Sequence, residues 1–343
     1  MGRNLIYISD GTLSSLCRGK ETHAGRMFRL LEELGQRSGQ LFDYDRGVQG
    51  RGWRRWLNAA SGTGINRSIL RGYAFLSTRW RPGDRIFLLG YSRGAYAVRS
   101  LAGMIGRIGL VREGHRGERR LRRAFGLYKE GSAPEMAAFS AAHCHRDVPI
   151  EMVGAWDTVR ALGLPYPLLS YLAPAATEFH DHALGPHIAH GYHALALDED
   201  RCAFRPILWE RSPDWKGRLE QCWFPGAHGD VGGDLRAYPD AAPLTHIPFA
   251  WMLRRAERLG LRLPDGWEAR FPEDPAAPIQ GCRRGIARAF LLRQRRDPGR
   301  GDGAFLHMSI AARIAAVPGY RPFGREKSVR PAAAPAPLGP AGT

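Results

Sequence analysis

Short apolar runs alternate along the chain with longer stretches in which apolar residues recur every three or four positions. The short runs predict buried strands, and they cover residues 4–9, 40–45, 84–89, 149–155 and 221–224. The periodic stretches predict helices that bury one face, and they cover residues 27–34, 65–80, 95–105, 247–259 and two helices within 116–145 that join near 131–134. Strands that alternate with helices predict an α/β fold with a mostly parallel central sheet and helices on both faces.

Two stretches interrupt this pattern. Residues 47–64 are rich in glycine and predict a loop. Residues 163–190 are rich in proline and histidine with little periodicity, which is typical of a lid-like excursion. We see no repeat and no linker, so we expect residues 1–328 to form a single domain. Residues 329–343 are mostly proline, alanine and glycine and predict a disordered tail.

The composition is that of a chain with a substantial core, since 44% of its 343 residues are hydrophobic. No apolar run approaches the length of a transmembrane helix. The apolar run 5–8 ends at Ser9 and Asp10, too early for a secretion signal, so we expect a cytoplasmic protein. Export by a route without a cleaved signal stays open. The five cysteines are odd in number and irregularly spaced, which indicates reduced thiols.

The chain is strongly basic, with a net charge of +17 that comes almost wholly from arginine. A surface that meets anions and a compositional bias toward arginine, spread over a solvated surface, both explain this charge. Arginines cluster at 51–55, 112–123 and 293–300, but none of these clusters is interleaved with a series of aromatic residues like a nucleic-acid platform; Trp53 is the one aromatic residue within them. We therefore predict no specific nucleic-acid partner and allow for peripheral contact with an anionic membrane.

The pentapeptide 90–94 reads Gly-Tyr-Ser-Arg-Gly and lies between the predicted strand 84–89 and the helix that follows it. A Gly-x-Ser-x-Gly sequence in a strand–turn–helix setting is the nucleophile elbow of serine hydrolases. Its glycines permit the sharp turn that exposes the serine hydroxyl above the sheet. The fold prediction is therefore α/β-hydrolase-like, with Ser92 as the candidate nucleophile.

Candidate catalytic partners follow two other predicted strands. Asp157 follows the strand at 149–155, and His228 follows the strand at 221–224. Ligands of an open parallel sheet bind beyond the carboxyl ends of its strands, and Ser-Asp-His is the chain order of α/β-hydrolase triads. We predict that His228 takes the proton of Ser92 and that Asp157 accepts the other ring N–H.

The oxyanion of such a reaction needs N–H donors. The backbone N–H of Arg93 is the first candidate, and the turn at Gly11 or Thr12 is the candidate source of a second. Asp10 and Asp230 are predicted neighbours of the site. Loop aspartates commonly bond backbone N–H groups, so both are also candidates for a structural role.

Other assignments stay open at this point. His193 and His307 compete with His228 as the base, and Asp157 could instead cap a turn. Histidines are dense between residues 180 and 193, and a His-Cys-His sequence occurs at 143–145, but neither spacing matches a metal-ligand signature. Neither a P-loop nor a dinucleotide fingerprint occurs, so we predict no metal and no cofactor.

With these residues in place, the chain resembles a bacterial family of uncharacterised α/β-hydrolases, the domain of unknown function 2235. That family includes the phospholipase effectors of type VI secretion. The motifs that carry the resemblance are DGT at 10–12, PGD at 82–84, GYSRGAY at 90–96, GAWDTV at 154–159, HALALDE at 193–199 and WFPGAHGDVGG at 223–233. The resemblance implies a nucleophile at Ser92, an acid at Asp157 and a base at His228.

The leading hypothesis is therefore a serine ester hydrolase that acts on a small-molecule or lipid ester, with a phospholipid as a candidate substrate. The alternative is a non-catalytic module of the same fold that uses its arginine-rich surface to hold an anionic partner. The two differ in their need for Ser92, because only the enzyme depends on that hydroxyl.

Overall fold

The computed structural model describes residues 2–11, 14–17, 19–35, 38–47, 63–115, 117–159, 183–235, 238–283, 287–288, 290–299 and 301–323. The strands within these residues are β1 Asn4–Ser9, β2 Gln40–Asp45, β3 Arg85–Tyr91, β4 Leu110–Val111, β5 Cys144–His145, β6 Ile150–Trp156, β7 Ile188–Ala196, β8 Arg218–Phe224 and β9 Ala304–Leu306. The α-helices are α1 His23–Leu34, α2 Thr63–Arg79, α3 Arg93–Ile108, α4 Glu118–Glu130, α5 Ala133–His143, α6 His228–Gly232, α7 Ala242–Arg258 and α8 Met308–Ala316.

Seven strands form one sheet in the order β2-β1-β3-β6-β7-β8-β9, and each neighbouring pair is parallel. β4 and β5 form a separate antiparallel pair. The strand order reverses between β1 and β3, because the chain runs outward to β2 and then returns to the other side of β1. Ligands of open parallel sheets bind at such a reversal. The carboxyl ends of β1 and β3 therefore mark the expected site.

Helices cover both faces of this sheet. Along β1, Leu5 and Tyr7 point into one core, which α2 and α3 cover, while Ile6 and Ile8 point into the other, which α1 and α7 cover. Successive strand residues face opposite sides, so a strand buried on both sides is apolar throughout. The predicted α/β fold, with a mostly parallel sheet covered on both faces, is confirmed.

The structure also differs from the sequence-based elements. β7 and β9 were not predicted, and residues 188–190 of the proposed lid are the beginning of β7. Helix α7 begins at Ala242 rather than near residue 247; a proline in its first turn hid this start, although the first turn is the position that tolerates proline best. The two helices predicted within 116–145 are α4 and α5, which meet at 131–132.

Several predicted segments lie outside the described residues. These are most of the glycine-rich stretch 47–64, the larger part of the proposed lid, and the tail 329–343. The single-domain assignment for 1–328 stays a prediction. Within the residues that the structure does describe, no helix has both the length and the apolar character to cross a bilayer.

Candidate active site

The turn between β3 and α3 holds Ser92 in an uncommon backbone conformation, with φ +57° and ψ −119°. A positive φ at a residue other than glycine costs about 1–3 kcal/mol, so the surroundings must impose it. A Cβ on Gly94 would lie 2.0 Å from the carbonyl oxygen of Ser9, and one on Gly90 would lie 2.5 Å from that of Gly94. Gly94 is therefore required for α3 to pack directly against the end of β1, and Gly90 for the start of α3 to turn back closely over β3.

The hydroxyl of Ser92 lies against His228, the first residue of α6. Oγ of Ser92 is 2.9 Å from Nε2 of His228, and Nδ1 of His228 is 2.6 Å from Oδ2 of Asp157. All three side chains are at least nine-tenths buried. A carboxylate only accepts hydrogen bonds, so Nδ1 carries the proton and Nε2 is left as the acceptor for the serine O–H. This arrangement can activate an alcohol.

Two aromatic rings hold the imidazole of His228 in place. The ring of Tyr91 stacks on it at 4.9 Å between centroids, and the ring of Phe204 meets it edge-on at the same distance. The hydroxyl of Tyr91 also donates to the backbone carbonyl of His228, at 3.2 Å. Because its neighbours fix the ring on both sides, little rotational freedom is left to lose during a reaction.

Asp157 is the most tightly bonded member of the group. Its φ is +43°, and its Oδ1 accepts the N–H of Ala196 at 3.0 Å. The guanidinium of Arg296 donates to both carboxylate oxygens, at 2.6 and 3.0 Å. Burial alone would raise the pKa of Asp157, but the charge of Arg296 and the hydrogen bond from His228 outweigh it, and the pKa lies well below its ordinary value. The carboxylate is therefore ionised at neutral pH.

Arg296 is the functional-site residue that sequence reasoning missed. Its guanidinium is buried and also donates to the carbonyls of Ala196, at 2.8 Å, and Phe204, at 2.5 Å. It lies 139 positions from Asp157 along the chain, within the arginine cluster 293–300. No spacing signal distinguishes it from its neighbouring arginines; only the tertiary structure does.

Asp10 follows β1 and stands beside the same turn. It accepts hydrogen bonds from the hydroxyls of Thr22, at 2.7 Å, and Tyr44, at 2.5 Å, and from the N–H of Gly11, at 2.6 Å. Burial raises its pKa despite these bonds. Its contacts are those of a residue that organises the loop after β1, the structural role that the sequence left open.

The predicted oxyanion donors differ in how well their positions and hydrogen bonds agree with that role. Arg93 is the first residue of α3, so its N–H lies at a helix N-terminus beside Ser92. Gly11 lies close to the nucleophile, since a Cβ there would be 3.5 Å from Cβ of Ser92. The N–H of Gly11, however, already donates to Asp10, so this arrangement gives no support to Gly11 as the second donor. Thr12 lies outside the described residues.

Asp230 supports the loop that carries His228. Its carboxylate accepts the N–H groups of Ala227 at 2.8 Å, Gln280 at 2.8 Å and Gly281 at 3.1 Å. Burial raises its pKa in spite of these three bonds. Asp230 therefore fixes the start of α6 and ties it to a distant segment.

The competing histidines have other partners. Nε2 of His193 accepts the N–H of Thr158 at 3.1 Å, and burial lowers the pKa of His193 to about 3. Nδ1 of His307 accepts the N–H of Ser309 and caps α8, and burial lowers the pKa of His307 to about 4. Both rings are neutral structural groups, which leaves His228 as the histidine on Ser92.

One cluster of carboxylate and thiol side chains contains the types of group that bind metal ions. Among the described residues, Glu199, Asp200 and Cys282 bring their ligand atoms within 4.8 Å of one another. Glu199 is paired with Arg201 at 2.7 Å, and Asp200 with Arg293. Because guanidinium groups already meet both carboxylates, this cluster is an ion-pair network rather than an open cation site.

A cavity of about 700 Å³ lies at the amino ends of β6 and β7, lined in part by Val148, Leu184, His187 and the second half of α3. This is the end of the sheet opposite Ser92. The cavity is therefore separate from the hydroxyl and its two partners.

The chain is similar to one known family and to a known protein. The family "T6SS, Phospholipase effector Tle1-like, catalytic domain" matches residues 3–255. An uncharacterized protein of Saccharomyces cerevisiae is 26% identical over 239 residues, which is 62% of this chain and 33% of that protein. This chain thus spans about a third of the length of that curated relative.

Two solved structures are also similar. A crystal structure of an uncharacterized protein from Pseudomonas aeruginosa has a TM-score of 0.45 and 16% identity, over 80% of this chain and 49% of that one. The structure of the Tle1 effector bound to the VgrG spike from the type 6 secretion system has a TM-score of 0.36 and 17% identity, over 68% of this chain and 51% of that one. Both TM-scores are below 0.5, so neither likeness carries a conclusion for this chain.

The family match alone covers well over half of the sequence. The chain therefore belongs to the family of Tle1-like phospholipase effectors of type VI secretion, through their catalytic domain.

Proposed function

We propose that this chain is a serine hydrolase that cleaves carboxylic esters of lipids or phospholipids through an acyl-enzyme on Ser92. Family membership supports the broader statement, a hydrolase of lipid esters. The serine mechanism, the roles of Asp157 and His228, and the assignment to the α/β-hydrolases of the domain of unknown function 2235 are parts of the proposal. The cytoplasmic location also stays a prediction, and export by a route that needs no cleaved signal stays open.

One observation carries the proposal: a buried histidine contacts a serine hydroxyl through Nε2, at 2.9 Å, and a carboxylate through Nδ1, at 2.6 Å. A serine hydroxyl is a weak nucleophile until a base removes its proton. The strained φ of Ser92 supports the same role, because backbone strain clusters at active sites.

Acylation begins when Oγ of Ser92 attacks the ester carbonyl carbon and its proton passes to Nε2 of His228. The carbonyl oxygen becomes an oxyanion, which the N–H of Arg93 and the dipole of α3 stabilise. Asp157 stabilises the imidazolium that forms. The tetrahedral intermediate then collapses, the ester C–O bond breaks, and the leaving alcohol takes the proton from Nε2.

Deacylation repeats these steps with water. His228 takes a proton from the water molecule as its oxygen attacks the acyl carbon, and a second tetrahedral intermediate forms. Its collapse breaks the bond to Oγ, returns the proton to Ser92 and releases the carboxylic acid. Each proton removed is returned, so the enzyme ends the cycle unchanged.

Labelling with a fluorophosphonate probe tests the mechanism, because the probe reacts with an activated serine. We expect the wild-type protein to be labelled and the Ser92→Ala variant to lose both labelling and hydrolysis of a chromogenic short-chain ester. Removal of the nucleophile typically costs about a million-fold in turnover.

Ser100→Ala is the matched control, because Ser100 is also a buried serine and lies on α3, about two helical turns from the site. This variant should be labelled like the wild type. Folded wild-type protein that takes up no probe would contradict the proposal and favour the non-catalytic alternative.

A further inference from the structure

The segment 290–296 carries two large apolar side chains on the protein surface, and we call it the dileucine loop. Leu291 is 77% exposed and Leu292 is 57% exposed. Met308 and Ile314 are the other large hydrophobic side chains exposed among the described residues, and both belong to α8. Two adjacent exposed leucines form an apolar patch, and exposed apolar patches commonly mark an interaction surface.

The exposure is not a result of a loose backbone. The carbonyl of Leu292 accepts the N–H of Cys202 at 3.0 Å, and the N–H of Gln294 donates to the carbonyl of Asp200 at 2.6 Å. Between these bonds, the guanidinium of Arg293 is paired with Asp200. The backbone that carries the two leucines is therefore hydrogen-bonded at Leu292 itself and again two residues beyond it.

Positive charge surrounds this apolar pair. Residues 281–300 contain seven arginines and one aspartate. The side chains of Arg288 and Arg295 are exposed beside the leucines in sequence, and no carboxylate is paired with either among the described residues. Arg283 is exposed as well, although Asp200 partly neutralises it. An apolar patch with an excess of arginine is complementary to a surface that is negatively charged and has an apolar interior.

The inner side of the same loop builds the candidate active site. The ring of Phe290 packs against Phe204 at 5.5 Å between centroids, and Phe204 in turn contacts His228 at 4.9 Å. Arg296 holds Asp157 from the end of the loop. A ligand bound on the outer side of the loop would therefore lie near Ser92 and His228.

We infer that the dileucine loop is an interfacial docking element, whose leucines insert into an anionic lipid surface while the flanking arginines contact lipid phosphates. Transfer of leucine side chains from water to the boundary between lipid headgroups and acyl chains lowers the free energy, and arginines near an anionic leaflet add electrostatic attraction. The inference rests on the proposed function, since a lipid surface is where a lipid hydrolase meets its substrate. The exposed apolar side chains of the loop are leucines, while its aromatic residue Phe290 is buried, and this favours lipid over nucleic acid as the source of the phosphates.

The test measures binding of the Ser92→Ala protein to vesicles by co-sedimentation, so that no lipid is hydrolysed. One set of vesicles is phosphatidylcholine, and in the other phosphatidylglycerol replaces part of it. We expect tighter binding to the anionic vesicles, and weaker binding at higher salt. Adding Leu291→Asn and Leu292→Asn should lower the partition coefficient about tenfold or more on both sets of vesicles.

Arg288→Gln with Arg295→Gln should weaken binding to the anionic vesicles about tenfold and change binding to phosphatidylcholine little. Two matched controls should bind like the parent protein. Met308→Asn removes an equally exposed apolar side chain elsewhere, and Arg119→Gln with Arg120→Gln removes two exposed arginines on α4.

Catalysis separates this inference from the proposed function. With Ser92 intact, the dileucine variant should hydrolyse a soluble short-chain ester at the wild-type rate, which also shows that it folds, and hydrolyse vesicle lipid at least about tenfold more slowly. A dileucine variant that binds vesicles like its parent would overturn the docking role, as would a parent that binds no vesicles. Lipid binding without any ester hydrolysis would overturn the proposed function and leave the docking element standing.

Discussion

Asp10 and Asp157 are two buried aspartates at the same edge of the same sheet, one after β1 and the other after β6. Neutral donors surround Asp10, and burial raises its pKa. Asp157 faces Arg296 and His228, and its pKa is depressed although burial opposes this. Residue type, burial and position on the fold are the same, so the neighbouring charges decide how each carboxyl titrates. Each aspartate lies in its own sequence motif, and the two motifs do not reveal this difference in pKa.

The largest expected effect comes from Asp157→Asn. An amide cannot hold Nδ1 of His228 in its protonated form, so Nε2 loses its role as acceptor for Ser92. We expect kcat on a short-chain ester to fall by about four orders of magnitude. Asp10→Asn should change kcat less than about threefold, since Thr22 and Tyr44 can rotate their hydroxyls to suit an amide. Similar losses in the two variants would contradict the separation of roles.

Arg296→Met removes the charge that distinguishes the two aspartates. The variant leaves a buried carboxylate with the imidazole of His228 as its remaining side-chain donor among the described residues, so we expect the free energy of unfolding to fall by about 3 kcal/mol. Urea denaturation at neutral pH measures this.

Arg99→Met is the control for Arg296→Met, because Arg99 is also a buried arginine but bonds the carbonyls of Ile207 and Leu208 instead of a carboxylate. It should cost stability without altering the acid dependence described next.

The pH dependence of stability sharpens the same comparison. Because the pKa of Asp157 is depressed by folding, its contribution is fully present above the unfolded value of about 3.9 and is lost as pH falls toward the folded value. The contribution of Asp10 to stability depends on pH in the opposite direction. Because folding raises the pKa of Asp10, its contribution is present at low pH and is lost as pH rises through the pKa of the folded state. Arg296→Met should therefore lose less stability than the wild type between neutral pH and pH ~3. Parallel curves for the two proteins would refute the assignment of that charge.

The smallest effect is expected from Tyr44→Phe. This change removes one donor from Asp10, so the pKa of Asp10 should rise further and the free energy of unfolding should fall by about 1 kcal/mol. Activity should be unchanged. A large loss of activity would place Asp10 in the chemistry rather than in the support of the loop.

The sequence predicts those parts of the site that follow local patterns. Ser92 and Asp157 come directly after buried strands and His228 comes four residues after one, so the parallel sheet is enough to place them at one edge. Arg296 cannot be found this way, because its partner is distant in sequence and its neighbours are also arginines. β7 was missed because its nine residues include histidines 190 and 193 and a glycine, which obscure an apolar run. β9 is too short, at three residues, to give any period.

The contact between Arg296 and Asp157 bears on where the functional unit ends. The family match stops at residue 255, yet the guanidinium that holds the acid comes from beyond it. Two of the three N–H donors to Asp230, from Gln280 and Gly281, also come from there. A chain trimmed to 3–255 would keep every residue of the proposed triad and lose the groups that hold two of them in position. The later segment therefore supports the proposed catalytic site directly, through hydrogen bonds to Asp157 and Asp230.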